Sequence, residues 1–200
     1  MVKVPVFMMY AFAAFLVPNI ASADLVFNGG FEIGDFTGWI LSGNPIPGTV
    51  DSVNPHSGLF AADLIAAGSP SFMEQFLATT PGLTYNLTYF LDVSFSFASP
   101  PEAANGAPVE FLAQVNGLTV FDESNIPPQP YTRYSFPFLA TGTSTDLKFG
   151  FRNDAGAFFL DDISVTATPE PGSLWLGLLV TTSAIIAGRC RQSRGEKARS

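Results

Sequence analysis

Apolar and polar residues alternate with a period of two along the middle of the chain, a pattern typical of half-buried β-strands. The alternation breaks only at turn-rich stretches that contain Pro, Gly, Asn and Ser, and no segment between them has a helical stripe. The clearest alternation places apolar residues on one face of a single long strand: Tyr85, Leu87, Tyr89, Leu91, Val93, Phe95 and Phe97.

Later segments follow the same rule. Val109 to Val115 alternate, and Asn116-Gly117 then supplies the residues of a type I′ hairpin turn. Further alternating runs precede and follow Phe149, and the last one ends near Thr166. The pattern predicts an all-β chain folded as an antiparallel β-sandwich of about eight or nine strands.

The N-terminus has the composition of a secretory signal peptide. Lys3 supplies a positive charge, a long apolar run follows it, and residues 21–23 are the small residues that a signal peptidase requires. We predict a signal peptide over residues 1–23, with Asp24 as the mature N-terminus. The alternative is a retained membrane helix, which Pro18 disfavours because it ends the apolar run early.

The C-terminus carries a second apolar segment. Residues 172–188 have no charge and, at about 1.5 Å per residue, would form a helix slightly shorter than the hydrocarbon core of a bilayer. Arg189, Arg191 and Arg194 follow, and such residues reach the interface and stay on the cytoplasmic side. We predict a transmembrane helix followed by a basic tail over 189–200. The alternative, a buried C-terminal helix, would need an amphipathic pattern that this segment lacks.

Pro169, Glu170 and Pro171 stand directly before this apolar segment. The order of this motif, an apolar helix and an Arg-rich end behind a signal peptide resembles the PEP-CTERM sorting signal of Gram-negative bacteria, here over residues 169–200. The resemblance implies processing by exosortase, a membrane enzyme, and association with exopolysaccharide and biofilm matrix. Prolines keep the preceding stretch extended, which suits access by such an enzyme.

The part between the two ends is strongly acidic. Residues 24–168 contain three basic residues against fifteen acidic ones, a net charge near −12, whereas the whole chain has −8. Nucleic acid is therefore excluded as a partner, because binding a phosphate backbone requires a basic surface. Cys190, the only cysteine, lies in the tail, so no disulfide stabilises this domain.

Several segments of residues 24–168 carry a second resemblance. "LVFNGGFEIGDFTGWILSGN", "HSGLFAADL" and "FFLDDISVT" occur in this order along the chain. Together they resemble the galactose-binding-like jelly roll that several carbohydrate-binding modules share. The resemblance implies a jelly-roll β-sandwich over nearly the whole of residues 24–168.

One carboxylate in the last predicted strand is conspicuous. By parity, Phe159, Asp161, Ile163 and Val165 share a face, which aims Asp161 at the core, where an unpaired charge is costly. Asp162 falls on the opposite face and is expected to be solvated.

The second resemblance implies one way to compensate Asp161. In related modules a structural calcium lies between the first loop and the last strand, and the matching residues here are Glu32 and Asp161, with Ser57 as a backbone-oxygen donor. Calcium accepts such oxygens in loose geometry. In the alternative, Asp161 accepts backbone N–H groups and Glu32 pairs with Arg152.

Sugar binding by such modules relies on exposed aromatic rings and on polar groups that bind hydroxyls. Trp39 is expected to be a core residue and not such a platform. A surface patch is the remaining candidate, although patches of this kind also bind proteins. The candidate patch consists of outward-facing strand residues: Phe90, Leu112 and Leu139 as its apolar part, and Asp92, Glu110 and Gln114 as its polar contacts.

No catalytic motif is present in the sequence. His56 is the only histidine, and the adjacent Ser57 cannot form a nucleophile–base pair with it in an extended loop. We therefore predict a non-enzymatic, exported surface or matrix protein that is anchored through its C-terminus and sorted by exosortase. The alternative is a carbohydrate-binding or glycan-processing protein with a defined glycan ligand.

Overall fold

The structure, a computed structural model, describes residues 23–44, 48–95, 107–154 and 156–168. Nearly all of the predicted signal peptide and the whole segment from Pro169 onward, with the predicted transmembrane helix and basic tail, lie outside the described residues. Among the described residues, the structure contains no helical segment with the length and hydrophobicity of a membrane span.

The described ranges contain ten strands, which pair antiparallel into two five-stranded sheets. Sheet 1 contains, in spatial order, β1 (Ile40–Gly43), β4 (Ser71–Ala78), β9 (Ser144–Asn153), β6 (Val109–Val115) and β7 (Leu118–Ser124). Sheet 2 contains, in spatial order, β2 (Thr49–Asp51), β3 (Ala61–Leu64), β10 (Gly156–Ala167), β5 (Thr84–Phe95) and β8 (Gln129–Leu139). The predicted antiparallel β-sandwich is confirmed.

The inner faces of the two sheets form one aromatic core. Tyr89 of sheet 2 packs edge-on against Phe149 of sheet 1, with ring centroids 5.2 Å apart. Phe111 and Phe158 pack across the sandwich in the same manner, at 5.3 Å. Burying one such side chain contributes about 1.5–3 kcal/mol, so these contacts hold the sheets together. Trp39 is 7% exposed and belongs to this core, as predicted.

The turn between β6 and β7 is the hairpin that the sequence predicts. Asn116 and Gly117 both have positive φ, 50° and 72°, as a type I′ turn requires. The Asn116 side chain also accepts the backbone N–H of Asp146 at 2.9 Å, which ties the turn to β9. The turn therefore sets the register of sheet 1 at this end.

A β-bulge interrupts the last strand. Asp161 lies opposite Phe90 on β5, and the next paired residue, Ser164, lies opposite Thr88. Asp162 lies in the bulge with a φ of 49°, in the left-handed region. An extra residue on one strand reverses the alternation of side chains beyond it.

The bulge corrects the parity prediction for β10. Ile163 and Val165 lie in the core, whereas Phe159 and Asp161 lie on the outer side of sheet 2. The prediction that these four residues share a face is therefore wrong. The bulge is held by the N-terminal segment, because the N–H of Ile163 donates to the carbonyl oxygen of Gly29 at 2.9 Å.

Substituting Gly29 tests how closely the N-terminal segment packs on the bulge. A Cβ at Gly29 would overlap the carbonyl oxygen of Ile163. We expect Gly29→Ala to lower the free energy of unfolding by about 1–3 kcal/mol, as overpacking does. Urea unfolding measures the change. Gly142→Ala is the control, since the nearest atom to its Cβ is 3.5 Å away. Equal transition midpoints for the two variants would contradict this packing.

Candidate functional site

The outer face of sheet 1 carries an apolar row that crosses three strands. Phe72 on β4, Gly150 on β9 and Leu112 on β6 are direct cross-strand neighbours. A Cβ at Gly150 would lie 2.9 Å from the ring of Phe72 and 3.3 Å from a methyl group of Leu112. The two side chains therefore close over the glycine, and we call these three residues the apolar row.

Polar residues flank the apolar row on both sides. On one side, Arg152 lies opposite Glu110. On the other side, Lys148 has Glu74 and Gln114 as its cross-strand neighbours. Residues two apart on a strand are about 7 Å apart and share a face, so hydrogen-bonding groups border the apolar floor along both edges.

Both cations that border the apolar row are held by carboxylates. The Nζ of Lys148 lies 2.9 Å from Glu74 and 5.5 Å from the centroid of the Phe72 ring. The hydrogen bond from Glu74 raises the pKa of Lys148. Arg152 donates through Nε and Nη2 to the two carboxylate oxygens of Asp154, at 3.0 and 2.7 Å. The surface is therefore pre-ordered by ion pairs.

Apolar surface continues from the row toward the β1 edge of sheet 1. Phe76, two positions beyond Glu74 on the same face of β4, is 59% exposed. Ile40 on β1 lies opposite Glu74 and is 53% exposed. Phe76 also lies opposite Asp146 of β9. Burial raises the pKa of Asp146, and the charge of Glu74 adds to this effect.

The structure separates the predicted ligand-binding residues. Glu110, Leu112 and Gln114 lie on the outer face of sheet 1, but Phe90 and Asp92 lie on β5 of sheet 2. Leu139, on β8, is also part of sheet 2. The outer faces of the two sheets of a sandwich point in opposite directions, so these residues do not form one patch. The prediction of a single patch is wrong, because sheet membership depends on pairing between distant segments.

Phe90 is covered by the chain itself. The imidazole of His56 stacks on it, with ring centroids 3.7 Å apart and an angle of 20° between the planes. Tyr131 packs its edge against His56 at 5.0 Å. Asp92 is 9% exposed and accepts a hydrogen bond from Ser94 at 2.6 Å. Neither Phe90 nor Asp92 therefore presents a free surface to a sugar ring.

His56 belongs to the loop between β2 and β3, residues 52–60, which carboxylates hold against sheet 2. Asp161, fully buried, accepts the backbone N–H groups of His56 and Ser57 at 2.9 and 3.1 Å. Its other oxygen accepts the N–H of Asp162 at 2.7 Å. Asp162 in turn forms hydrogen bonds with Nδ1 of His56 at 2.7 Å and with Oγ of Ser57 at 2.8 Å. The prediction that Asp162 is solvated is therefore wrong.

Glu32 holds the end of the same loop. Its carboxylate accepts the backbone N–H groups of Leu59 and Phe60, at 2.9 and 3.1 Å. Arg152 pairs with Asp154 and not with Glu32, so that part of the hydrogen-bonded alternative is wrong. The other part is confirmed, because Asp161 accepts backbone N–H groups.

The three predicted calcium ligands come together in the structure. A Cβ at Gly30 would lie 3.8 Å from Oδ1 of Asp161 and 3.9 Å from Cγ of Glu32, and Ser57 touches Asp161. Their contacts, however, are those of a hydrogen-bonded clamp, in which Ser57 presents its N–H group and not its carbonyl oxygen. Among the residues that the structure describes, no group of three or more His, Cys, Asp or Glu is arranged to hold a metal ion. The arrangement therefore does not match a coordination shell, and calcium binding stays a prediction.

The environment of Asp161 pulls its pKa in two directions. Burial raises the pKa to about 6, and the charge of Asp162 acts in the same direction. The N–H groups of Ser57, Asp162 and His56 oppose this by stabilising the carboxylate. The clamp is therefore built around a charge that only backbone donors compensate.

Sequence reasoning missed Phe72, Gly150 and Lys148. Two signals could have found them. In "SFMEQFLA", Phe72 and Phe76 occupy the parity opposite to the core residues, which marks them as outward aromatics. In "LKFGFRN", a glycine interrupts an alternating strand, which often indicates close approach of another group.

Solved structures of two carbohydrate-binding modules and one adhesin domain are similar to this fold. TmCBM61, solved with β-1,4-galactotriose, has a TM-score of 0.58 at 17% identity, over 74% of this chain and 100% of that chain. The CBM22-1 xylan-binding domain of Paenibacillus barcinonensis Xyn10C has a TM-score of 0.53 at 16% identity, over 75% and 97%. The K3 cleaved adhesin domain of Lys-gingipain from Porphyromonas gingivalis has 0.51 at 15%, over 72% and 98%. At these identities the likeness shows the fold alone.

Comparison by sequence identifies the family. No curated protein sequence matches the chain. Residues 23–155 match CBM_4_9, which is described as a carbohydrate binding domain. This match covers more than half of the 200 residues and includes all three strands of the apolar row. The chain therefore belongs to the CBM_4_9 family of carbohydrate-binding domains.

Proposed function

We propose that this protein binds a polysaccharide on the outer face of sheet 1, with the apolar row as the floor of the site. The observation that carries the proposal is the seating of Phe72 on Gly150 between two lines of polar side chains. A sugar ring has an apolar C–H face and a rim of hydroxyl groups. The apolar row matches the face, and the polar lines match the rim.

The apolar and the polar residues of this face would make different contacts with a bound sugar. The ring of Phe72 supplies the apolar contact, and Gly150 lets that ring lie close to the sheet. Glu110 and Gln114, which the sequence predicted as polar contacts, stand on either side and can bind hydroxyl groups. Each such hydrogen bond contributes about 0.5–1.5 kcal/mol net. Affinity therefore depends on several modest contacts along one chain.

The proposed function corresponds to the alternative prediction from the sequence, a carbohydrate-binding protein, and not to the main prediction, a non-enzymatic surface or matrix protein. The family supports carbohydrate binding, and the solved structures named above supply two examples of such ligands, β-1,4-galactotriose and xylan, each bound by a protein of the same fold. The sequence predicts no catalytic residue, and we propose binding without catalysis. The two readings are compatible, because a matrix protein can be retained by the polysaccharide that it binds.

For location, we propose export, anchoring through residues 172–188, and processing at the Pro169–Pro171 motif by exosortase. The support is the order of the sequence features and the position of the domain's ends. The N–H of Leu25 donates to Val165 at 2.9 Å, and Thr168 donates its N–H to Thr84 at 2.9 Å, beside the end of β10. Both ends therefore leave the domain near the same strand, away from the apolar row on sheet 1.

Substituting Phe72 tests the site. We expect Phe72→Ala to weaken polysaccharide binding at least tenfold, about 1.4 kcal/mol, because the apolar contact is lost. Leu139→Ala removes an apolar side chain that is 60% exposed on sheet 2 and should leave binding unchanged. A glycan array identifies the ligand, and titration calorimetry on the full-length protein in detergent measures the affinity. Absence of binding across the array would sink the proposal.

Substituting Glu170 tests the sorting signal. We expect Glu170→Gln to leave an unprocessed species in the membrane fraction, whereas Glu196→Gln, in the basic tail, should be processed normally. Intact-mass analysis of protein recovered from its native cells reports both termini at once. If the Glu170 variant and the wild type have identical mass and location, the tail acts only as an anchor.

Substituting Asp161 tests the clamp on the β2–β3 loop. We expect Asp161→Asn to lower the free energy of unfolding by about 1–3 kcal/mol, because an amide cannot accept all three N–H groups. The loss should shrink as the pH rises from about 4 through 6. A folded pKa near 6, above the unfolded value of 3.8, means that the wild-type carboxyl contributes most stability when protonated at low pH. Thermal unfolding across this range measures the trend.

The same experiment separates the clamp from a calcium site. If calcium is bound, a chelator lowers the melting temperature of the wild type, and Asp161→Asn removes that effect. A melting curve that the chelator does not change would count against calcium and leave the hydrogen-bonded clamp as the full account.

A further inference from the structure

The guanidinium of Arg152 is already paired with a carboxylate of this chain. Arg152 lies in the polar line next to the apolar row, directly opposite Glu110. A carboxylate on a sugar bound over Phe72 would find Arg152 as a neighbouring cation. Instead, Asp154 occupies it with two parallel hydrogen bonds, the strongest arrangement open to an Arg–carboxylate pair.

A second hydrogen bond and a lowered pKa keep Asp154 paired with Arg152. Its Oδ1 also accepts the backbone N–H of Gly68 at 3.0 Å, which fixes the carboxylate to the loop between β3 and β4. The hydrogen bond from Arg152 holds the pKa of Asp154 below its usual value. Asp154 therefore stays charged, and Arg152 stays paired, over the ordinary range of pH.

The remaining charges of this face are mostly negative. Lys148 is the other cation on it, and Glu74 holds it. Among the described residues on the outer face of sheet 1 and in its adjoining loop, two cations stand against five carboxylates, namely Glu74, Glu110, Asp122, Asp146 and Asp154. An anionic sugar would meet a negative field and no free cation, whereas an uncharged sugar pays no such cost.

We propose that Asp154 is a specificity-determining residue: by holding Arg152 it restricts the apolar row to uncharged polysaccharides and excludes those rich in uronic acids. The inference rests on the proposed function of the same face. It predicts that releasing Arg152 converts the site toward anionic ligands without loss of neutral ones, since Asp154 does not border the apolar row itself.

Matched pairs of polymers test the proposal. The probes are β-1,4-galactan and a mixed-linkage β-glucan, each with a derivative whose primary hydroxyl groups are oxidised to carboxylates. Titration calorimetry on the full-length protein in detergent should show that wild type binds at least one neutral polymer and binds its carboxylated derivative at least tenfold more weakly. Asp154→Asn should bind that derivative about tenfold more tightly than wild type does, through one charge-assisted contact with Arg152, with neutral affinity within about twofold.

Two further variants separate release of Arg152 from a general change of charge. Asp122→Asn, on β7 opposite Leu112, removes one negative charge from the same face but leaves the Asp154 pair intact, so it should change binding of the carboxylated derivative by about twofold or less. The double variant Asp154→Asn with Arg152→Gln should lose the gain. Melting temperatures show whether loss of the full carboxylate at Gly68 disturbs the fold.

The outcomes distinguish the two proposals. Failure of all neutral and carboxylated polymers to bind would remove the proposed function and this inference with it. Equal binding of a neutral polymer and its carboxylated derivative by wild type would overturn the inference alone. An equal gain in Asp122→Asn and Asp154→Asn would also overturn it, because the field and not Arg152 would then set the selectivity.

Discussion

The two-residue period of the strands is the constraint on which the rest of this structure depends. Phe149 and Phe151 must point inward to fill the core, so Gly150 and Arg152 between them must face outward. The same constraint on β4 places Phe72 outside because its neighbours are buried. The proposed binding face is thus the complement of the core. A change in the register of β9 would exchange the two and destroy both.

Charge is managed by pairing in a domain that has few cations. The buried carboxylate of Asp161 is compensated by backbone N–H groups, and those of His56 and Ser57 at the same time hold the β2–β3 loop against sheet 2. On sheet 1, Glu74 forms an ion pair with Lys148, and Asp154 forms one with Arg152. The outer faces of the two sheets therefore differ in what their charged groups bind. The β2–β3 loop covers Phe90 on the outer face of sheet 2, whereas the apolar row lies on the outer face of sheet 1.

Elements of the fold that depend on local sequence could be predicted. Alternation identified the long strands, the Asn116-Gly117 pair identified a hairpin, and Trp39 was placed in the core. Glu110 and Gln114 were placed outward by parity alone. The covering of Phe90 could not be predicted from the sequence, because the ring that covers it belongs to His56, which lies more than thirty residues away in the chain. Such contacts leave no periodic signal.

The sequence by itself determined the class of fold, the direction of most strand side chains and the acidic character of the domain, since these follow from residue type and from a period of two. Only the tertiary structure decided which strands share a sheet, where β10 bulges, and that the β2–β3 loop covers Phe90. The physical reason is that antiparallel pairing joins segments far apart in the chain. Whether Phe72 meets Gly150 depends on that pairing and on no property of either segment alone.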